Sequence, residues 1–339
     1  MRRKKVIALI LSACLVLSLV VWKGTSMLKT FLNGEKQQVP TLIESPEDDQ
    51  SLRNTVLYYK DDKGYLVPVM RKIPWPEGRG IAKASMRALV DNTANRSDME
   101  TLGLAPILPA NTEIIGMSIN NGLCKVNLTE EFQNYGSKEE EMAIVKSVVY
   151  TLTEFPTVEE VQIMIEGESP NALTYGLDVS RPLARKDINY SGSGEDKSKV
   201  IVYYQGTVNG MENYFVPVTK DVEIAENESV TVIRTLETLI EGPSDESGLF
   251  SVIPSSLQIR NVDVLDGVAY IDFSEEIKEI EDESIAQDMI KSIALTLKEY
   301  YKNDVLVEKV SIMANGKEID FGEGTKEEPI AVPTFANEY

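Results

Sequence analysis

The feature that most constrains the fold is an internal repeat. The segment Leu104–Phe132 aligns without a gap with Leu249–Ile277, which lies 145 positions further along the chain. In both segments apolar residues alternate at a period of two, on either side of the turn dipeptides Asn121-Gly122 and Asp266-Gly267. This pattern predicts a half-buried β-hairpin, because Asn-Gly and Asp-Gly supply the positive φ that a tight turn needs. A repeat of this length indicates two copies of one domain, called here copy one and copy two.

Further matches extend the repeat on both sides of the hairpin. The matched pairs are Leu57–Tyr59 with Val202–Tyr204, Val67–Val69 with Val216–Val218, Lys146–Leu152 with Lys291–Leu297, and Val161–Gly167 with Val310–Gly316. Helical periodicity lies between the hairpins, at Ile81–Val90 and Val230–Ile240. A capping box at Ser137 and Glu140 opens a further helix, and Asp282 or Ser284 opens its counterpart. Each copy therefore reads ββαββαβ, an α+β domain with a mixed or antiparallel β-sheet backed by two helices.

One stretch of the repeat resembles a known family. The hairpin is followed by Thr151–Gly167, in which a helix ends and a strand ending in glycine follows, and this combination resembles the GerMN domain of sporulation and germination proteins. Copy two matches the pattern more loosely. The resemblance covers roughly Thr55–Phe321. It implies tandem GerMN domains in an extracytoplasmic protein of the spore envelope, and members of this family are generally lipoprotein-like.

Composition removes several classes of function. The chain of 339 residues contains no histidine, which excludes a Ser-His-Asp or Cys-His centre and any histidine-based zinc site. Of its two cysteines, Cys124 falls on the inward face of the hairpin opposite Ala269 of copy two, so we expect a small core residue. The net charge is −20, and the first 23 residues contribute five positive charges, so the remainder carries −25. Such a surface repels nucleic acid, and we expect no nucleic-acid partner.

The N-terminus predicts a membrane tether. The basic residues Arg2–Lys5 precede the apolar run Val6–Trp22, whose 17 residues just reach the length that spans a bilayer. Positive charge before the run keeps the N-terminus cytoplasmic and places the rest outside. Leu11–Cys14 also resembles a bacterial lipobox, which would lead to cleavage before Cys14 and a lipid on its sulfur. Apolar residues continue beyond Cys14, which favours an uncleaved signal anchor over the lipoprotein.

The predicted organisation has six parts. These are a signal anchor or lipoprotein signal (1–23), a flexible stalk (24–54), domain 1 (55–190), a polar linker (191–198), domain 2 (199–321), and an extended or disordered tail (322–339).

Two carboxylate pairs are the best catalytic candidates. Glu130-Glu131 and Glu275-Glu276 occupy matching positions, and paired carboxylates can divide acid and base roles. Both pairs follow a strand and stand directly after Thr129 or Ser274, where a first-turn carboxylate stabilises a helical turn, and we favour this structural role. Asp272 is a weaker candidate for a base or ligand, because copy one has an amide, Asn127, in its place. Glu139–Glu141 indicates a helix N-terminus and lacks the loop of a calcium site. We predict no catalytic residue, no metal and no cofactor.

Aromatic residues supply a candidate interaction surface. Two tyrosine pairs lie on strands, so alternation predicts that one tyrosine of each pair faces solvent, beside a tryptophan between two prolines. These residues are Tyr58, Tyr59, Trp75, Tyr203 and Tyr204. They could bind a glycan or a protein partner, or they could pack at a strand edge and cover the core.

Two functional hypotheses follow. From the resemblance, the first is a non-enzymatic, membrane-anchored module that assembles or positions envelope or septal channel proteins at the mother cell–forespore boundary, in sporulation and germination. The alternative is a protein that binds or processes cortex peptidoglycan. An enzyme would need a cleft of polar residues, and the two copies share no such set beyond the glutamate pairs.

Overall fold

The computed structural model describes residues 52–75, 80–192, 197–208, 212–223, 230–302, 305–319, 321 and 329–339. The predicted membrane segment with Cys14, the stalk up to residue 51, the centre of the linker and residues 322–328 of the tail lie outside this range. Among the described residues, no helix combines the length and hydropathy needed to cross a bilayer.

Copy one follows the predicted order with one additional helix. Its strands and helices are β1 (Leu52–Lys60), β2 (Leu66–Pro74), α1 (Ile81–Ala88), α2 (Thr93–Glu100), β3 (Ile114–Asn120), β4 (Gly122–Leu128), a 3-10 turn (Glu130–Gln133), α3 (Lys138–Leu152) and β5 (Val158–Ile165). Helix α2 is absent from the prediction because it buries a single residue, Met99, and so has no helical period in its sequence. Strand β1 begins within the range assigned to the stalk.

Copy two has the predicted order ββαββαβ followed by two short strands. Its elements are β6 (Ser198–Val208), β7 (Glu212–Val222), α4 (Val232–Glu241), a 3-10 turn (Asp245–Ser247), β8 (Ile259–Leu265), β9 (Val268–Phe273), a 3-10 turn (Glu275–Glu279), α5 (Glu283–Tyr300), β10 (Lys309–Ala314), β11 (Lys317–Glu318) and β12 (Ile330–Ala331). The α+β class is confirmed.

The repeated hairpins form as the turn dipeptides predict. Asn121 and Gly122 have φ of 49° and 80°, and Asp266 and Gly267 have φ of 51° and 78°, which is the left-handed pair of a type I′ turn. In each copy the third strand pairs in parallel with the second strand of the hairpin, giving the orders β3-β4-β5 and β8-β9-β10. A parallel pair needs a crossover connection, which α3 and α5 supply. The first hairpin of each copy, β1-β2 or β6-β7, forms a separate two-stranded sheet.

The repeated Lys-Ser-x-x-x-Thr-Leu motif joins each crossover helix to the first hairpin. In copy one, Ser147 Oγ donates to the carbonyl of Tyr58 (2.6 Å) and Thr151 Oγ1 accepts from the Tyr58 N–H (3.1 Å). In copy two, Ser292 donates to the carbonyl of Tyr203, and Thr296 Oγ1 accepts from its N–H (3.1 Å). Side chains of each helix thereby bond the main-chain N–H and C=O of one buried strand residue, where a neighbouring strand would otherwise do so.

Helix starts and core positions agree with the sequence. Ser137 Oγ accepts from the Glu140 N–H (3.1 Å) and Glu140 accepts from the Gly136 N–H (2.8 Å), while Asp282 is the residue that caps α5. Cys124 is fully buried, like its partner position Ala269, so its predicted core role is confirmed.

Candidate interaction surfaces

The two glutamate pairs begin 3-10 turns at the surface. Glu130, Glu275 and Glu276 are exposed, and each pair starts a turn of the 3-10 type. A side-chain hydrogen bond from Thr129 lowers the pKa of Glu131, and one from Ser274 lowers the pKa of Glu276. A lowered pKa keeps a carboxylate fully ionised at neutral pH. A general acid or base, by contrast, needs a pKa near the working pH. The geometry matches the structural role expected for first-turn carboxylates.

Asn127 and Asp272 share one structural task. Asn127 Oδ1 accepts from the Gly167 N–H (2.8 Å), and Asp272 Oδ1 accepts from the Gly316 N–H (3.0 Å). Both glycines have positive φ, at 87° and 70°, in the turn that ends the third strand. An amide oxygen and a carboxylate oxygen are equally able to accept this bond, which explains why the repeat exchanges them.

The predicted exposure of one tyrosine in each pair is wrong. Tyr58, Tyr59, Tyr203 and Tyr204 are 3%, 1%, 8% and 1% exposed. Tyr58, Tyr59 and Tyr204 belong to the main hydrophobic core, and Tyr203 packs with Phe215 and Leu295 in a smaller cluster. Strand alternation predicts one free face only where nothing covers it. The exposure on which their prediction as an interaction surface depended is therefore absent.

Trp75 differs from the tyrosines. Its side chain is partly exposed, and the Arg53 guanidinium carbon lies 4.5 Å from the centre of its ring. Pro76 lies outside the described residues. Of the five aromatic residues predicted as an interaction surface, Trp75 alone is partly accessible.

A cavity of about 130 Å³ lies at the junction of the two copies. Tyr58 and Tyr203 line it, together with Glu154, Glu299 and Arg185. Arg185 forms an ion pair with Glu154 and donates to Thr153 Oγ1 (2.8 Å), and the Tyr58 hydroxyl donates to Glu154 (2.9 Å). Burial, reinforced by the Glu154 carboxylate, raises the pKa of Tyr58, so its hydroxyl keeps the proton that it donates. This cluster holds the end of α3 against the segment that leads into copy two.

Asn189 bonds the first hairpins of both copies. Its Oδ1 accepts from the Leu66 N–H (2.8 Å), and its Nδ2 donates to the carbonyls of Leu66 (2.9 Å) and Pro217 (2.8 Å). Leu66 lies on β2 of copy one and Pro217 on β7 of copy two. One side chain therefore satisfies main-chain groups of both copies.

Asn337 makes the reciprocal set of bonds. Its Oδ1 accepts from the Phe215 N–H (2.7 Å), and its Nδ2 donates to the carbonyls of Phe215 (2.9 Å) and Pro68 (2.8 Å). Phe215 and Pro68 are the repeat counterparts of Leu66 and Pro217. The two copies thus contact each other through the same positions with their roles exchanged. The tail Asp187-Ile-Asn-Tyr190 of copy one and Phe335-Ala-Asn-Glu338 carry this signal in the sequence, and comparing them would have extended the repeat to the C-terminus.

The predicted tail contributes to this junction. Over residues 329–339 it is held against both copies, although an extended or disordered tail was expected. Strand β12 pairs with β10 of copy two, and the Met70 N–H of copy one donates to the Asn337 carbonyl (2.8 Å). The hydroxyls of Thr101 and Tyr339 lie 2.6 Å apart. We call residues 329–339 the C-terminal strap.

No metal site is evident in the part of the chain that the structure describes, where no three acidic or cysteine side chains are placed to hold an ion.

The fold and junction define a tandem α+β repeat protein whose two copies contact each other through matching positions. The family model Germane, described as sporulation and spore germination, matches residues 56–170 and 201–320. The spore germination protein GerM of Bacillus subtilis (strain 168) is 31% identical over 293 residues, which are 83% of this chain and 77% of that protein. The solved tandem GerMN domains of the B. subtilis sporulation protein GerM match with a TM-score of 0.71 and 29% identity, covering 85% of this chain and 99% of that one. The chain belongs to the Germane family of sporulation and spore germination proteins, and the resemblance to tandem GerMN domains is confirmed.

Proposed function

We propose that this protein is a non-enzymatic interaction module, tethered by its N-terminus on the extracytoplasmic face of the membrane. It assembles or positions envelope or channel proteins at the mother cell–forespore boundary, in sporulation and spore germination. Family membership supports the sporulation context. The sequence of the first 23 residues supports the tether, as a single span or through a lipid on Cys14.

An exposed apolar corner of copy two carries the proposal of a contact role. Leu265, Val305 and Leu306 are 63%, 46% and 73% exposed. Val305 and Leu306 are consecutive, and the Leu306 carbonyl oxygen is 3.6 Å from the point where a Cβ on Gly267 would stand, so this segment passes the β8–β9 turn that follows Leu265. A cluster of exposed apolar side chains marks a surface that another molecule covers. Copy one has the polar Asn120 at the place of Leu265, so the corner belongs to copy two.

The test compares this corner with the glutamate pairs in sporulating cells. Leu265→Ser combined with Leu306→Ser should impair sporulation while the melting temperature changes little, because exposed side chains contribute little to stability. Ile285→Ser is the matched control, since Ile285 is also apolar and 43% exposed but lies on α5. Replacing Glu130, Glu131, Glu275 and Glu276 together with Gln should leave sporulation intact. A folded quadruple variant that reaches the membrane and fails in sporulation would instead favour an enzyme.

The alternative function, binding to cortex peptidoglycan, depends on Trp75. A partly exposed tryptophan can stack on a sugar ring. This alternative predicts that purified cortex glycan retains the protein and that Trp75→Ala abolishes the retention. Under the contact role, Trp75→Ala leaves sporulation unchanged, so the same variant separates the two functions.

A further inference from the structure

Copy one carries a groove that the function proposed above does not use. A cavity of about 170 Å³ opens between α3 and the segment that follows β5. Its wall is apolar, with Met142, Val145 and Val149 from the helix and Leu177 and Leu183 from the opposite segment. We call it the copy-one groove. Glu141 fixes one wall, because its buried carboxylate accepts from the Tyr175 N–H (2.6 Å) and the Leu177 N–H (2.9 Å).

The charge at the rim of the groove opposes that of the whole protein. The chain has 54 acidic and 34 basic residues, yet the charged residues that line the groove are both lysines, Lys146 and Lys186. Within the described residues, neither ammonium group has a hydrogen-bond or ion-pair partner. The neighbouring carboxylate of Asp187 is already engaged, since it accepts from Lys199 Nζ at 2.6 Å. Burial lowers the pKa of Lys146, and the attraction of the Asp187 carboxylate opposes this effect only in part.

Copy two shows the corresponding lysine with a partner. Lys291 matches Lys146, and its Nζ lies 4.7 Å from the centre of the Phe215 ring. The neighbouring Leu295, which matches Tyr150, is buried against the same ring and Tyr203. A lysine over an aromatic face is a favourable cation–π contact. Copy two therefore supplies an aromatic ring to this lysine position. In copy one Tyr150 lines the same groove as Lys146, but no cation–π contact joins Lys146 to a ring among the described residues.

We infer that the copy-one groove binds a segment of a partner protein through one aromatic side chain flanked by a carboxylate. This inference rests on the contact role proposed above and names the chemistry of a partner. The volume is below the roughly 300–1,000 Å³ of small-molecule sites and suits a single large side chain. Interfaces concentrate their binding energy in such anchors, and a methionine such as Met142 in the wall adapts to them. The ring occupies the apolar wall, and the carboxylate pairs with Lys146 and Lys186.

The test selects peptides from a random library displayed on phage against the full chain purified in mild detergent. Selected peptides should be enriched in Phe or Tyr next to Asp or Glu. Ala184→Trp places a bulky ring at the groove, where Ala184 is exposed, and should weaken the selected peptides at least about tenfold, or about 1.4 kcal/mol. Ala331→Trp, at an exposed alanine of β12 in copy two, should leave binding unchanged. Lys146→Gln with Lys186→Gln should remove the preference for acidic residues and keep that for the ring.

Three results of the binding experiment would overturn the inference. These are no enrichment of aromatic residues, equal binding of selected peptides to the Ala184→Trp protein, and displacement of every peptide by a fatty acid such as palmitate, which would assign the groove to a lipid. Sporulation of the Ala184→Trp strain keeps the two proposals apart. We expect impaired sporulation with an unchanged melting temperature. Normal sporulation in that strain would reject the groove, and the contact role would still be decided by Leu265 and Leu306.

Discussion

At the scale of single residues, the differences between the copies show what each position is for. Asn127 and Asp272 differ in charge but present the same oxygen to a glycine N–H in the same turn. The sequence alone makes Asp272 a weak candidate for catalysis. In the structure the Asp272 carboxylate has a structural role, because it accepts a hydrogen bond from the Gly316 N–H.

The exchange can be tested directly. Asp272→Asn should leave the free energy of unfolding nearly unchanged, because the amide oxygen still accepts from the Gly316 N–H. Asp272→Ala should cost about 1 kcal/mol, the typical contribution of one hydrogen bond. Urea unfolding of both variants, with Asn127→Asp and Asn127→Ala as the matched pair in copy one, gives the measurement. Equal losses for Asn and Ala at position 272 would contradict the shared role.

Cys124 allows a second prediction at this scale. Burial raises the pKa of its thiol to about 11, so a negligible fraction is thiolate at pH 8. In a Cys14→Ser protein, the thiol reagent DTNB at pH 8 should therefore react with the native protein far more slowly than with the unfolded protein. Equal rates in urea and in buffer would show that the residue is accessible.

At the scale of elements, the crossover helices take the place of a neighbouring strand. Ser147 and Thr151, like Ser292 and Thr296, are almost fully buried and bond the peptide groups of Tyr58 and Tyr203. A strand edge with unpaired peptides attracts other chains, and covering it with a helix is one way that proteins protect it. The Ser and Thr of the repeated motif thus have the same structural role in both copies, which is to bond the strand that lies beside the helix.

Breaking one of the helix–strand hydrogen bonds should measurably lower the free energy of unfolding. Thr151→Val keeps the shape of the side chain but leaves the buried Tyr58 N–H without an acceptor, which costs about 1–3 kcal/mol. Thr296→Val should show the same loss in copy two. Thr157→Val, at an exposed threonine between α3 and β5, is the control and should be within about 0.5 kcal/mol of the original protein. Losses no greater than this control would mean that the bonds are dispensable.

The sequence predicts elements well where two copies constrain one another. Hairpins, crossover helices and the Cys124 core position follow from the repeat, because alternation and turn residues recur at fixed spacing. The burial of Tyr58 and Tyr203 does not follow, since it depends on contacts between copies that strand periodicity cannot report. Helix α2, with one buried residue, leaves no periodic signal. The copy-one groove was missed for a similar reason, since its two walls are far apart in sequence.

At the scale of the whole molecule, the two copies are not separate domains joined only by a linker. The described residues belong to one compact unit, and asparagines from the end of each copy bond the first hairpin of the other. The C-terminal strap adds bonds to copy one at Met70 and to copy two at Phe215. The two copies are therefore held in a fixed relation to each other.

Removing the C-terminal strap should destabilise copy one, although the strap follows copy two in the chain. In a protein that begins at residue 50, Trp75 is the single tryptophan and reports on copy one by its fluorescence. Ending this protein at residue 328 leaves the buried Met70 and Phe215 N–H groups without acceptors, at about 1–3 kcal/mol each. The urea midpoint measured by Trp75 should therefore fall together with the midpoint measured by far-ultraviolet circular dichroism, as one transition.

Two single variants serve as comparisons. Asn337→Ala should shift both midpoints in the same direction by less, and Asn213→Ala, at an exposed position of β7, should shift neither. A Trp75 midpoint that stays constant while circular dichroism shows copy two unfolding earlier would mean that the copies fold separately and that the reciprocal asparagine bonds do not couple them.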